Sequence, residues 1–302
     1  MERRALIAAA ALVCSGFLRA PGAEPPPLGL DAFIPVPEAN PLTRSKVELG
    51  RQLFQDKRLS RDGSVACTTC HEPQRAFSDG RPLAVGVFGR QGRRHSPALI
   101  NRGYGSAFFW DARSASLEEQ VLLPIQDPNE MDLSLADVRT RVGLEPQTVA
   151  YALASFVRSI VSGGSRYDLY MNGDRAALNY EEQAGLAIFR GKGNCTSCHL
   201  GPNFSDESLH NTGVAWRNGT FLDSGAGEGR FKTPTLRQIA STAPYMHDGS
   251  LKTLEGVVDY YDRGGNVNTH LDHDLHPLRL REEEKRALVA FLSTLTGSVQ
   301  VR

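Results

Sequence analysis

The sequence predicts a mainly α chain of two similar units in tandem, 24–164 and 165–302, with long irregular loops. Three observations predict it. The pentapeptide Cys-x-x-Cys-His occurs twice, as Cys67-Thr68-Thr69-Cys70-His71 and as Cys195-Thr196-Ser197-Cys198-His199. Each copy is preceded by a Gly-x-x-x-Phe stretch on a helical pattern, Gly50 to Phe54 and Gly185 to Phe189, a spacing that puts both residues on one helix face. Each is followed by an amphipathic helical segment, Ala152 to Ile160 and Ala287 to Leu295, with Gly163 and Gly297 as stop signals. No convincing run of alternating apolar and polar residues argues for strands. The 29 glycines and 17 prolines suit the loops between motif and closing helix, 75–101 and 203–230.

In chain order, residues 1–23 read as a secretory signal peptide. Glu2, Arg3 and Arg4 lead into the apolar run Ala5 to Leu18, and small residues surround Ala20 to Ala23. The run is shorter than the roughly 18 to 20 apolar residues of a spanning helix, so a soluble periplasmic product without membrane contact is expected. Cys14 lies in this segment after Val13, which is a weak context for a lipid anchor. The other four of the 5 cysteines all belong to the pentapeptides, leaving none for a disulfide framework. With 34 basic and 34 acidic side chains the formal charge is zero, and nothing suggests nucleic acid as a partner.

Each pentapeptide is the attachment signature of c-type haem: two thiols become thioethers and the adjoining imidazole ligates iron. A four-cysteine zinc site needs no histidine after each pair, and a lone redox dithiol needs no second copy. Two covalent haems are therefore expected, at Cys67, Cys70 and at Cys195, Cys198. A first helix with a small residue, a haem motif, and a closing helix that crosses the first is the cytochrome c plan, and here it occurs twice, with the boundary near Gly163-Gly164-Ser165. The charged stretches Gly92 to Arg94 and Glu282 to Lys285 read as solvated surface.

Between the motifs lies Phe109-Trp110-Asp111-Ala112-Arg113, with Gln120 and Glu130-Met131 beyond it. Here the chain resembles the bacterial di-haem cytochrome c peroxidase and MauG superfamily, in particular its MauG-like and MbnH-like members. That superfamily carries Phe-Trp-Asp-Gly-Arg after its first haem site; the glycine is Ala112 here. The resemblance extends over Leu49 to Met131, the second haem motif, Thr233 to Arg237 and Thr242 to Gly249. It implies that Trp110 lies between the two haems and that Gln120 and Glu130, ten and twenty residues on, face a peroxide pocket. Heterolysis of H2O2 needs a positioned carboxyl to move a proton between the oxygens, a role for Glu130 with Gln120 as orienter.

The resemblance also assigns the iron ligands. His71 is expected as the proximal ligand of the first haem. Members that need reductive activation have a histidine opposite it; the aligned residue is Val87, which cannot ligate, so an open first haem is expected. His95 is the rival sixth ligand. The second haem has His199, and opposite it most members have methionine where this chain has Tyr261, as MauG-like members do. A phenolate is a hard, anionic ligand that favours the oxidised metal. Met246 is the rival, and Tyr260 is expected to pack or face solvent. A calcium ion held by an Asn and the backbone of Thr-x-Pro is common in the family. Thr242 and Pro244 match, whereas His95 replaces the Asn, and imidazole suits a hard cation poorly. His210 and the spaced trio His270, His273 and His276 read as loop residues rather than ligands.

The implied function is an H2O2-dependent oxidoreductase of the MauG type. It would react at the open first haem, share oxidising equivalents through Trp110 and oxidise a Trp or Tyr side chain of a separate protein substrate. The alternative is a peroxide-scavenging cytochrome c peroxidase fed by a small cytochrome c or cupredoxin. A non-catalytic electron carrier is the third reading.

Overall fold

The computed structural model describes residues 26–302, so the expected signal peptide and Cys14 lie outside the described residues. Two helix pairs dominate. In the first, α1 (Arg44–Phe54) crosses α2 (Pro146–Ser159); in the second, α3 (Tyr180–Arg190) crosses α5 (Glu282–Ser293), with α4 (Leu254–Asp262) packed beside it. The sequence starts each helix locally. Thr43 caps α1 by accepting from the Lys46 N–H at 3.3 Å, and Pro146 opens α2, where its missing N–H costs nothing. Asn179 and Glu182 form a reciprocal capping box on α3, each bond 2.9 Å long.

The crossings explain the two glycines. A Cβ on Gly50 would overlap the carbonyl oxygen of Ala152, and one on Gly185 would overlap that of Ala287. The helices thus meet backbone to backbone, at residues that occupy the same place in each half. Four residues on from each glycine, Phe54 packs on Phe156 at 4.9 Å between ring centroids, and Phe189 on Phe291 at 5.1 Å. Two apolar cores grow from these pairs, one around Leu53, Leu153 and Val149, the other around Leu186, Leu288 and Leu295.

The described residues also hold three short antiparallel two-stranded sheets, which the sequence reading did not anticipate. The longest pairs β1 (Ile160–Gly163) with β2 (Ser298–Val301). Helix α2 therefore stops at Ser159, before Ile160, and Gly163 belongs to a strand rather than marking a helix stop. β-Branched Ile160 and Val161 favour the extended backbone once a partner strand is present. Between the cores run buried ties: Arg102 clasps Glu207 with two bonds of 2.8 and 2.9 Å, and Asn101 reaches Asn203 at 3.2 Å. No helix among the described residues is long and apolar enough to cross a membrane.

Candidate active site

Each pentapeptide closes into a single turn. The His71 N–H donates to the Cys67 carbonyl at 2.9 Å, and the His199 N–H to that of Cys195 at 2.8 Å. Both imidazoles are then held from behind in the same way. His71 Nδ1 lies 2.9 Å from the Phe77 carbonyl oxygen and His199 Nδ1 lies 2.9 Å from that of Phe204. A carbonyl can only accept, so Nδ1 carries the proton and the Nε2 lone pair is left for a metal. Burial lowers the pKa of both rings, which keeps them neutral as ligands must be.

Phe77 and Phe204 were not singled out from sequence. Both adopt left-handed backbone, φ 60° and 51°, which turns the carbonyl toward the histidine. Their rings pack edge-on against Phe54 (6.1 Å) and Phe189 (6.1 Å). The available signal was positional, an aromatic residue five or six places after each motif histidine.

A single cavity of about 680 Å³ joins the two sets. Its wall carries Cys70 and His71 from the first motif and Cys195, Cys198 and His199 from the second. Cys67 is packed against the first apolar core instead. Burial pushes the Cys67 and Cys195 thiols up to about 12 and Cys70 to about 11. Thiols held neutral in this way make poor thiolate ligands, whereas an uncharged thioether suits the same surroundings. The donor set therefore fits two covalent c-type haems: paired thiols in one turn, a neutral imidazole with Nε2 available, and a largely apolar chamber.

Trp110, Gln120 and Glu130 share that cavity. Trp110 is fixed at both ends, its indole Nε1–H donating to the His95 carbonyl at 2.9 Å and its own carbonyl accepting from the Lys232 N–H at 2.7 Å. Arg113 also lines the chamber, its guanidinium stacked 3.4 Å from the Phe109 ring centroid. Burial, with Asp127 nearby, raises the Glu130 carboxyl to about 7, where it can both give and take a proton near neutrality. Val87 is fully buried in the first core, and its N–H donates to the Glu130 carbonyl at 2.9 Å. At this position the chain braces the carboxylate segment.

Both ring nitrogens of His95 have protein partners, although the residue lines the cavity. Nδ1 donates to the Arg81 carbonyl at 2.6 Å, and Nε2 sits 3.3 Å from Ser78 Oγ. Thr242 and Pro244 line the cavity, with Thr242 Oγ1 donating to the Ile239 carbonyl at 3.2 Å. On α4 the adjacent tyrosines part company. Tyr260 is tied away, its hydroxyl donating to the Thr212 carbonyl at 2.9 Å and accepting from the Asn266 N–H at 3.2 Å. Tyr261 faces the cavity, and burial raises its phenol pKa. Met246 is on the wall too.

Two residues read as ordinary loop turn out otherwise. His210 is gripped between Asp272 (2.6 Å) and Asp206 (2.8 Å). Arg94, expected on solvated surface, is largely buried and paired at 2.7 Å with both Asp111 and Asp223. The trio His270, His273 and His276 does not form one cluster: His273 is almost fully exposed, and His270 sits against Glu228 at 3.4 Å.

Two motif imidazoles on one chamber with three of the four motif thiols, a tryptophan fixed at its wall, and a carboxyl poised near neutrality fit a class, the two-centre haem oxidoreductases that act on peroxide. The chain belongs to the di-haem cytochrome c peroxidase family, which includes MauG, and is thus an H2O2-dependent di-haem oxidoreductase. Residues 44–176 match the family described as "Di-haem cytochrome c peroxidase". The chain is 41% identical over 286 residues to the methylamine utilization protein MauG of Methylorubrum extorquens, covering 87% of this chain and 81% of that one. It is 32% identical over 289 residues to the cytochrome c551 peroxidase of Nitrosomonas europaea, covering 87% and 83%. Among solved structures, a MauG-like protein associated with microbial copper homeostasis superposes with a TM-score of 0.79 at 34% identity, over 92% of this chain and 94% of that one.

Proposed function

We propose that the protein is a MauG-like periplasmic oxidase of two cytochrome c-like domains, 24–164 and 165–302, that uses H2O2 to oxidise a Trp or Tyr side chain of a partner protein. One c-type haem is held by Cys67, Cys70 and His71, the other by Cys195, Cys198 and His199. The bound haems supply the site of peroxide reduction and the oxidising capacity. Glu130 moves the proton between the peroxide oxygens, Gln120 orients them, and Trp110 bridges the two centres. The main-chain carbonyl oxygens of Thr242 and Pro244 would be the donors to a calcium ion, for which the His95 ring is a poor ligand.

The observation that carries this reading is the placement of Tyr261 on the cavity wall while Tyr260 is bonded elsewhere. With Tyr261 as its ligand, the second centre would be a poor high-potential entry port for a donor's electrons. It suits the sharing of oxidising equivalents better. The decisive experiment is an electron paramagnetic resonance spectrum of the ferric protein beside Tyr261→Met. One high-spin and one low-spin haem, with only the low-spin signal changed by the substitution, is expected; two low-spin signals sink the open-site reading.

The second reading, a scavenging peroxidase fed by a small cytochrome c or cupredoxin, is favoured by the likeness to cytochrome c551 peroxidase. Steady H2O2 turnover with such a donor, starting from the fully oxidised protein, would select it.

A further inference from the structure

The Trp110-Asp111 dipeptide is gripped from outside its own loop. Arg94 Nη1 lies 2.7 Å from Asp111 Oδ2, while Arg94 Nε and Nη2 donate to the two oxygens of Asp223 at 2.7 and 3.0 Å. The next residue continues the grip: the His95 carbonyl accepts the Trp110 indole N–H, and the His95 N–H donates to the His247 carbonyl at 2.7 Å. The Arg94 guanidinium sits 5.3 Å from the centroid of the Phe231 ring, which is stacked on His247 at 3.7 Å and 12°. Arg94 is thus anchored to Asp111, beside the bridging indole, and to two groups beyond the second haem motif, Asp223 and Phe231. A planar five-donor fork can serve two carboxylates at once; a lysine has one ammonium for both.

We propose that Arg94 is a positioning residue that holds the Trp110 indole in register between the two haem sites and so sets the rate at which an electron crosses between them. The proposal rests on the reading of Trp110 as the bridge. Reduction of H2O2 to two waters takes two electrons and two protons. Haems held by the His71 and His199 motifs would supply one electron each, Trp110 would lie on the path between them, and Glu130 would hand on the protons. Arg94 lies on the cavity wall, and its bond to Asp111, which also pairs with Arg113 at 2.8 Å, is the route by which it acts on the neighbouring indole.

The test is freeze-quench paramagnetic resonance of the holoenzyme mixed with H2O2, timing the loss of the low-spin ferric signal of the His199 site against that of the high-spin signal. Arg94→Gln should slow the low-spin loss at least tenfold relative to the high-spin loss, and Arg94→Lys should recover part of it. In a Trp110→Phe background, Arg94→Gln should add no further slowing. A wild-type rate in Arg94→Gln, or the same slowing with and without Trp110, overturns the proposal. An undiminished rate in Trp110→Phe itself overturns the bridge reading instead. Should Arg94→Gln fail to take up both haems, Asp223→Asn frees only the far end of the clamp. It should slow the crossing at least threefold; an unchanged rate there counts against Arg94 equally.

Discussion

Phe77 holds the His71 ring through its main-chain oxygen, 2.9 Å from Nδ1, while its side chain closes the aromatic cluster formed where α1 and α2 cross. One residue thereby couples ligand orientation to core packing, and Phe204 does the same for His199. Phe77→Ala keeps the carbonyl but removes a ring that is 3% exposed. Thermal unfolding of the holoprotein should show a loss of about 3 to 5 kcal/mol.

The helix crossings make a sharper prediction. Gly50→Ala and Gly185→Ala each drive a methyl group into a main-chain oxygen that has nowhere to go. Each should cost about 1 to 3 kcal/mol or more, read as a lowered melting temperature. A neutral outcome at either position would mean that the helices can separate without penalty.

Glu130 makes the peroxide reaction pH-dependent. With its carboxyl raised to about 7, the ionised base becomes available as pH rises through neutrality, so the second-order rate with H2O2 should climb across that range. Glu130→Gln should lose this limb and fall by about 10² to 10⁴-fold in stopped-flow mixing. The stability sign is opposite. The folded state holds the proton more tightly than the unfolded chain, whose carboxyl titrates near 4.5, so this contribution is present below that value. It is lost as pH rises through about 7, and the Gln variant should show no such decline.

The two neighbouring tyrosines should separate cleanly. Tyr260→Phe removes a hydroxyl bonded to Thr212 and Asn266 and should cost about 1 kcal/mol with no change in the haem spectrum. Tyr261→Phe should alter the low-spin signal. Spectral change in the first variant would reassign the ligand.

Ala112 holds a left-handed φ of 55°, a conformation that favours glycine. Ala112→Gly should therefore be neutral or stabilising by up to about 1 kcal/mol in chemical denaturation, since the strain of the left-handed backbone offsets the entropy of a glycine.

The two pentapeptides, the paired glycines and the helices around them were legible because each is written in contiguous or periodic residues. Trp110, Gln120 and Glu130, which share the cavity wall, were singled out by the family resemblance. What escaped was carried by other means. Phe77 and Phe204 act through a carbonyl and a backbone angle, which residue type does not encode. Arg94 looked like solvated charge because its partners, Asp111 and Asp223, are distant in sequence. Gly163 reads in sequence as a helix stop because the strand that pairs with it lies far away, at 298–301.

That pairing bears on how the molecule is assembled. Ile160 faces Val301 across the ladder, so the edge left open after α2 is closed only by the last strand of the described chain. Closing so long a loop is slow, because its entropy is lost before any contact repays it. Once formed, the ladder staples the end of the first half to the end of the second through main-chain bonds, beside the side-chain tie of Arg102 to Glu207.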